Sequence, residues 1–289
     1  MHVIFLIGCD IYSYNFANEI CASFAKNNFK ASFLVFKNET AFNPDKLQTE
    51  IKNLIFYERT LFEDVLLPYL HSHSNQGKYV GLEALSKKYN MNYAFCPDIE
   101  NKHALQFILE RVQEWNVDVA ITIRCFVKYD KNLINYFVRS NDTYFWNLHP
   151  GLLPQYRGIM PVFGAMLNNE IEYGFTLHRV SEKLDNGPII DSISRNIDYS
   201  KSMLSNTLDL IPSGVDLIIK NLMKIIKQQN LPYLIQNEDQ KGFYSFPTAD
   251  ELTLFNSKGL CVFTKEEVIR TMQNQYLTDS QKDILNPYL

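Results

Sequence analysis

Residues 144–191 read YFWNLHPGLLPQYRGIMPVFGAMLNNEIEYGFTLHRVSEKLDNGPIID, and this stretch decides the fold prediction. Tyr144–Trp146 is an aromatic run typical of a buried strand, and the chain turns polar at Asn147 and His149. Residues two apart share one face of a strand, and ligands bind at the carboxyl ends of strands in open α/β sheets. We therefore expect both side chains to point into a cleft.

A loop with unusual backbone requirements follows this strand. Pro150, Gly151, Pro154 and Gly158 come at close intervals, a spacing that excludes a regular helix. A helical pattern resumes near residues 160–167. The intervening residues are therefore predicted to form a shaped loop beside the end of the strand.

A second polar position comes after the next predicted strand, YGFTLHRV at 173–180. In LDNGPII, at 184–190, Asp185 and Gly187 indicate a turn that precedes another apolar run. We expect this turn to bring Asp185 toward His149. Taken singly, Asn147, His149 and Asp185 each have an ordinary explanation as a turn former or a satisfied polar residue.

Together the three motifs resemble the formyltransferase family that uses 10-formyltetrahydrofolate. Its signature is Asn-x-His, then a Pro-rich LLPxYRG loop and a later LDxGPI, and this chain has NLHPGLLPQYRG and LDNGPII in that order. The resemblance is dense over residues 117–190, loose over the N-terminal half, and traceable in FYSFPTADE at 243–251. Gly151 is a departure, because many relatives have Ser there and glycine cannot provide a hydroxyl contact.

The resemblance implies roles for residues in each motif. Asn147 would donate a hydrogen bond to the developing oxyanion, His149 would carry the proton, and Asp185 would orient His149 or a bridging water. Which residue abstracts the proton stays open, as does the role of His178, which would equally satisfy buried backbone groups. The implied folate contacts are Arg124, Cys125, Phe126, Val127 and Asp185, with Arg124 otherwise read as a surface cation. The implied substrate loop comprises Gly151, Leu152, Leu153, Pro154, Tyr156, Arg157 and Gly158.

The implied activity is formyl transfer from 10-formyltetrahydrofolate to a primary amine of a small acceptor. A nucleotide-linked amino sugar is favoured, and the alternatives are an amino acid, a hydroxylated amine, a purine-pathway glycinamide or methionyl-tRNA. A different kind of function would be a non-catalytic folate- or nucleotide-binding module. The intact trio of Asn147, His149 and Asp185 argues against that loss of activity.

The composition limits the classes of partner and the cellular compartment that we expect. A formal net charge of −4 provides no general attraction for nucleic acid, which disfavours tRNA. The five cysteines are widely spread and lack CxxC spacing, so we expect no disulfide framework, no metal site and a reducing cytoplasm. The N-terminus lacks a signal-like pattern and no apolar run reaches about 18 residues, so no membrane span is expected.

The remaining pattern predicts a Rossmann-like α/β fold. Strands near 2–8, 31–37, 92–96 and 117–124 alternate with helices near 13–26, 81–89, 103–115 and 131–138. This alternation indicates a twisted, mostly parallel sheet covered by helices on both faces. Gly8 alone is not a GxGxxG fingerprint, so NAD binding has no support.

Two regions lie outside this alternation. Residues 43–74 are predicted to be a helical insertion near the acceptor side or at a subunit contact, with HSHS at 71–74 in a loop. Residues 1–200 would form the catalytic domain and 201–289 a mainly helical extension. In the extension Pro212 and Gly214 should kink or split a helix, and Thr248 should start another. The oligomeric state stays open, with a homodimer among the alternatives.

Overall fold

A computed structural model describes residues 1–37, 44–73, 77–96, 101–139, 144–240 and 242–289. The strands are β1 (His2–Gly8), β2 (Lys30–Phe36), β3 (Asn92–Phe95), β4 (Val119–Ile123), β5 (Tyr144–His149), β6 (Arg157–Gly158), β7 (Glu172–Arg179), β8 (Ile189–Asn196) and β9 (Phe243–Tyr244). The α-helices are α1 (Ile11–Asn27), α2 (Thr49–Ile55), α3 (Leu67–Ser72), α4 (Leu82–Tyr89), α5 (Asn101–Glu114), α6 (Lys131–Arg139), α7 (Pro161–Leu167), α8 (Met203–Asp209), α9 (Ile211–Ile226), α10 (Ala249–Ser257) and α11 (Lys265–Tyr276).

Seven strands form one sheet in the order β3-β2-β1-β4-β5-β7-β8. The five strands from β3 to β5 are parallel, whereas β7 and β8 are antiparallel to their neighbours. The predicted α/β architecture with a mostly parallel sheet is confirmed. The chain order changes direction between β1 and β4, and ligands bind beyond the carboxyl ends of strands at such a switch point.

β1 lies at the centre of this sheet and is buried on both faces. Val3, Phe5 and Ile7 pack in the cluster that includes α1 and the C-terminal helices, whereas Ile4 and Leu6 pack in the cluster with α5 and α6. A strand covered on both sides has no solvent-facing positions, which explains its continuous apolar sequence. Helices cover both faces of the sheet, as the alternating pattern predicts.

The described part of the predicted insertion is mostly helical, with a 3-10 turn at Pro44–Lys46 and continuous helix over residues 49–72. Between α2 and α3, Phe56–Thr60 and Phe62–Leu66 have the wider hydrogen bonding of a π-helix, a feature frequent at functional sites. Phe62 packs edge-on against Tyr14 and Tyr276, with ring centroids 5.0 and 5.4 Å apart, so the region is part of the core.

The expected loop at 71–74 is wrong for His71 and Ser72, which lie in the last turn of α3. Buried Leu67 and Leu70 keep this helix on the core up to that point. The ends of the predicted insertion, residues 43 and 74, lie outside the described residues.

The C-terminal region packs on the same core as β1. The predicted helix split is confirmed, since α8 ends at Asp209 and Pro212 lies in the first turn of α9, where proline is tolerated. Gly214 lies inside α9, where an added Cβ would come 2.9 Å from the ring of Phe175 on β7. Thr248 starts α10 with a capping box, as predicted. Among the described residues, none of the helices combines the length and apolar character needed to cross a membrane.

Candidate active site

The carboxyl end of β5 presents Asn147 and His149 on one face of the strand. Their cross-strand neighbours on β7 are His178 and Thr176, respectively. His149 is almost fully buried, and Asn147 is partly buried. The two-residue alternation of a strand therefore places an amide and an imidazole side by side, as expected.

The loop after β5 is held against the end of the strand by polar contacts. Thr176 Oγ1 donates to the Gly151 carbonyl (2.7 Å) and accepts from the Leu153 N–H (3.0 Å). The His149 ring nitrogen Nε2 lies 2.6 Å from the Tyr156 carbonyl oxygen. These contacts couple the loop backbone to the orientation of the imidazole.

The close packing of this loop explains why residue 151 is a glycine. A Cβ added at this position would lie 2.3 Å from the Tyr156 carbonyl oxygen and 2.8 Å from His149 Nε2. Any side chain would have to displace the backbone that holds the imidazole. The departure from the serine of many relatives is therefore matched to the close approach of the loop and His149.

Asp185 folds back to these residues from the turn between β7 and β8. Its Oδ1 lies 3.4 Å from His149 Nδ1 and accepts from Asn147 Nδ2 at 3.2 Å. Its Oδ2 accepts from the Gly158 N–H at 3.0 Å. The predicted proximity of Asp185 to His149 is confirmed.

His178 holds the Asn147 amide in place. Its Nδ1 lies 2.9 Å from the Arg179 carbonyl oxygen, so the ring proton is assigned to Nδ1 and Nε2 accepts from Asn147 Nδ2 at 2.9 Å. Both N–H bonds of Asn147 are thereby engaged, one by His178 and one by Asp185. Flipping the amide would place its oxygen against the Asp185 carboxylate, which fixes this orientation.

The surroundings of His149 and Asp185 shift the pKa of each side chain. Burial lowers the pKa of His149, and the neighbouring Asp185 carboxylate offsets only part of that effect. Burial alone would raise the pKa of Asp185, but His149 and the Gly158 N–H hold it well below its usual value. The short contact to the Tyr156 carbonyl assigns the proton of the neutral His149 ring to Nε2, which leaves Nδ1 as the basic atom beside the carboxylate.

Arg124 is not the surface cation that its sequence position suggested. Its side chain is only 18% exposed; its Nε lies 3.2 Å from Asp10 Oδ2 and its guanidinium also pairs with Glu58. Burial alone would lower the pKa of Arg124, but these two carboxylates raise it. Burial also raises the pKa of Glu58. The correction has a physical reason, because two buried carboxylates draw the guanidinium inward.

Asp10 also occupies the N-terminus of α1, with its Oδ1 accepting from the Ser13 N–H at 2.7 Å. A helix N-terminus after the first strand is a common phosphate site in doubly wound folds. In this protein a carboxylate from the chain itself takes that place.

Two cavities meet at Asn147 and Asp185. The first cavity is bordered by the π-helical region, the end of β5 and the C-terminal helices: Leu54, Ile55, Glu58, Arg59, Arg124, His149, Gly158, Ile159, Met160, Pro161, Val162, Met203, Leu204, Thr207 and Phe246. The second cavity is bordered by the segment after β4 and the segment after β7: Thr122, Val127, Lys128, Tyr129, His178, Val180, Ser181, Glu182 and Lys183. Cys125, Phe126, Ile159 and Leu184 border both.

The structure places some of the predicted site residues at the two cavities and others away from them. Asn147, His149 and Asp185 come together, and the residues at 124–127 border the cavities. Of the seven substrate-loop residues, all within the described chain, only Gly158 borders either of these two cavities. Tyr156 is buried instead, and its hydroxyl donates to Glu170 at 2.6 Å.

Sequence reasoning missed Asp10 and Glu58 as residues near the site. Glu58 lies in the helical run IFYERTLF, where a charge between apolar residues looks like an ordinary solvent-facing position. Asp10 looks like an ordinary helix cap, which it also is. Neither position carries a motif, and a charge in the first βα turn was the only signal available.

A comparison with family models matches the region that carries these residues. Residues 72–207 match the family model described as "Formyl transferase". A methionyl-tRNA formyltransferase from Roseiflexus sp. (strain RS-1) is 37% identical over 76 residues, which are 26% of this chain and 23% of that protein. The similarity in sequence therefore spans less than a quarter of that relative's length.

Two solved structures share the fold at low sequence identity. An N-formyltransferase from Helicobacter canadensis, in complex with folinic acid and dTDP-3-aminofucose, has a TM-score of 0.52 and 16% identity, covering 85% of this chain and 71% of that chain. A phosphoribosylglycinamide formyltransferase from Anaplasma phagocytophilum has a TM-score of 0.53 and 15% identity, covering 84% of this chain and 98% of that chain. Residues 72–207, just under half of the chain, therefore resemble the formyl transferase family both in the matching model and in the Asn-x-His and LDxGPI motifs that the fold brings together.

Proposed function

We propose that this protein transfers a formyl group from 10-formyltetrahydrofolate to a primary amine of a small acceptor. The observation that carries the proposal is the contact of Asp185 with both Asn147 and His149 where two cavities meet. This arrangement offers a hydrogen-bond donor, a basic nitrogen and a carboxylate within one small volume. Those are the groups that acyl transfer to an amine requires.

The proposed reaction begins with attack of the acceptor nitrogen on the formyl carbon. His149 Nδ1 takes a proton from that nitrogen, and the resulting imidazolium lies 3.4 Å from the Asp185 carboxylate. The imidazolium then protonates the folate N10 as the bond from N10 to the formyl carbon breaks. The products are the N-formyl amine and tetrahydrofolate, and general acid-base assistance of this kind contributes about 10²–10⁴ in rate.

Asn147 is the proposed donor to the oxyanion. One of its N–H bonds would turn from Asp185 or His178 toward the formyl oxygen as negative charge develops there. A donor of this kind contributes roughly 10²–10³ in turnover. The existing bonds to Asp185 and His178 hold the amide ready near the reacting carbon.

We assign the folate to the second cavity and the acceptor to the first. Of the residues for which the family resemblance implies folate contacts, Val127 borders only the second cavity and Cys125 and Phe126 border both. Arg124 borders the first cavity, where it pairs with Asp10 and Glu58. The first cavity borders His149 and leads to the π-helical region. The predicted position of the 43–74 region on the acceptor side rests on this assignment.

A nucleotide-linked amino sugar is the first proposed acceptor. The Helicobacter canadensis protein with the same fold was solved with dTDP-3-aminofucose. Asp10 at the N-terminus of α1 disfavours binding of any phosphate at that point, so the phosphates of this acceptor would lie elsewhere. The net charge of −4 disfavours tRNA.

An amino acid or hydroxylated amine is the second proposed acceptor. The first cavity favours it, because apolar side chains such as Leu54, Met160, Val162 and Phe246 form much of its lining. Apolar walls suit a compact acceptor with an apolar body better than a diphosphate, which needs several donors.

The test is incubation with 10-formyltetrahydrofolate and separate panels of amino sugar nucleotides, amino acids, hydroxylated amines and methionyl-tRNA. Mass spectrometry should show one added formyl group on an acceptor, with tetrahydrofolate formed in equal amount and far less product with the His149→Ala variant. Folate binding without turnover on any panel would overturn the proposal and support a non-catalytic binding module.

A further inference from the structure

A segment from the C-terminal extension runs beside the turn that carries Asp185. Leu234 and Ile189 exchange two backbone hydrogen bonds, both 2.8 Å long, at the start of β8. Leu234 and Ile235 are 67% and 76% exposed, whereas Gln236 is only 7% exposed. The chain therefore turns one polar side chain inward from an otherwise exposed segment.

Both N–H bonds of the Gln236 side-chain amide donate to the turn that carries Asp185. Nε2 donates to the Asp185 carbonyl at 2.9 Å and to the Gly187 carbonyl at 2.8 Å. Asp185 has a φ of 49°, a left-handed conformation that is uncommon for a residue with a side chain. Such a conformation persists only where surrounding contacts hold it.

The same turn has little freedom on its other sides. A Cβ added at Gly187 would lie 1.7 Å from the Arg179 carbonyl oxygen, so the turn packs tightly against the end of β7. Arg157 donates to the Asn186 side chain and, at 3.4 Å, to the Gln236 side-chain oxygen. Gln236 thus links the backbone of the turn to the loop after β5.

We infer that Gln236 is a positioning residue for Asp185, a role that rests on the proposed formyl transfer. It fixes the backbone of residues 185–187 so that the carboxylate meets His149 Nδ1 and Asn147 Nδ2. It has no contact with the reacting groups themselves, since its bonds go to backbone carbonyls and Arg157. Gln236 lies beyond residues 72–207, so the extension contributes to a site whose reacting groups all lie within the matched family region.

The test compares Gln236→Ala and Gln236→Glu with the control Gln229→Ala, a change at an exposed position. Glutamate nearly preserves the shape but its carboxylate cannot donate to the two carbonyls. Because a misplacement of about 1 Å can cost roughly 10²-fold, we expect both variants to lower kcat about 10- to 100-fold. The KM for the folate should stay within about twofold, and the control should match the wild type.

A double-mutant cycle separates positioning from a general loss of stability. If Gln236 acts only through the carboxylate, adding Gln236→Ala to Asp185→Asn should cause no further loss of kcat. Additive losses would overturn the inference, as would a normal kcat in a folded Gln236→Ala variant. Thermal unfolding identifies variants that fail to fold, and Gln236→Glu then serves as the second probe.

A readout that needs no acceptor is the pKa of His149, measured by NMR of the imidazole. Asp185 raises that pKa in the wild type, so Gln236→Ala should lower it toward the value found with Asp185→Asn. An unchanged pKa would contradict the inference. If the wild type formylates nothing, the proposed function fails while this measurement still decides the role of Gln236.

Discussion

Three segments of the chain build the same site, one by supplying its reacting groups and two by supplying its walls and supports. Residues 144–191 supply Asn147, His149 and Asp185, whereas the helical region at 49–72 and the segment at 231–246 supply walls and supporting contacts. The first segment carries dense motifs; apart from Ser72, the other two lie outside the region matched by the family model. Reacting atoms require particular residue types, but a wall or a supporting contact can be built from many.

The supporting segments nevertheless contact the reacting part at defined points. β9 pairs with β6, so Phe243 and Tyr244 run beside Arg157 and Gly158, whose N–H donates to Asp185. Gly158 has a φ of 100°, and an added Cβ would lie 2.4 Å from the Tyr244 carbonyl. Dense motifs therefore mark the chemistry but do not delimit the site.

The largest effects should come from the reacting part. We expect Asn147→Ala and His149→Ala to fold but to lower formylation by about 10²–10⁴, because they remove the oxyanion donor and the base. Initial rates and thermal unfolding measure the two properties separately. Gln155→Ala, an exposed change in the same loop, is the control. Near-normal turnover by either variant would remove the proposed mechanism.

Asp185→Asn should retain folate binding while turnover falls about 10²–10⁴. The pH dependence gives a second measurement, because the pKa of His149 is already lowered from 6.5 and Asp185 is what raises it in part. Activity depends on neutral His149, so the rate should rise with pH through that pKa. Removing the carboxylate should move the acid limb of kcat/KM to lower pH. An acid limb that stays in place, or moves to higher pH, would show that Asp185 does not raise the pKa of His149.

Gly151→Ser introduces the residue that many relatives have, yet we expect it to impair this protein. The added Cβ meets the Tyr156 carbonyl, so the backbone that orients His149 must shift, with a loss of roughly 10–10² in kcat. Overpacking of this kind typically costs about 1–3 kcal/mol of stability. A serine variant with wild-type kcat and Tm would show that the loop has room to adjust.

The smallest expected effect belongs to the π-helical region. Glu58→Gln removes a charge from the ion pair with Arg124 beside the first cavity, while Asp10 keeps Arg124 paired. We expect the KM for the acceptor to change about tenfold, equivalent to about 1.4 kcal/mol, with folate binding unchanged. Asp64→Asn, an exposed change in the same helical region, is the matched control. Equal effects of both variants, or a change in folate binding alone, would contradict the acceptor-side assignment.

Point variants test this region better than its deletion does. Leu61, Phe62 and Leu66 are fully buried in the main core cluster. Removing residues 49–72 would expose that core and confuse a loss of folding with a change in acceptor. Its assignment as an insertion, like the division of the chain at residue 200, stays a prediction.

Local sequence determined the parts of this protein that depend on short-range physics. The continuous apolar sequence of β1 is typical of a buried parallel strand, and Thr248 predicted the start of α10. The two-residue spacing of Asn147 and His149 predicted their common face, because strand geometry repeats every two residues. The turn at Asp185 and Gly187 then predicted that Asp185 returns toward His149.

Only the tertiary structure decided which distant groups meet that face. Arg124 lies between Asp10 and Glu58, and Gln236 reaches the Asp185 turn from 51 residues away in sequence. No local pattern marks such contacts, since a glutamate on a helix or a glutamine after one is usually exposed. Their position depends on how the π-helical region and the C-terminal extension pack on the sheet. In the folded protein, Arg124 and the buried carboxylates of Asp10 and Glu58 form an ion-pair group beside the first cavity, and buried Gln236 supports the Asp185 turn.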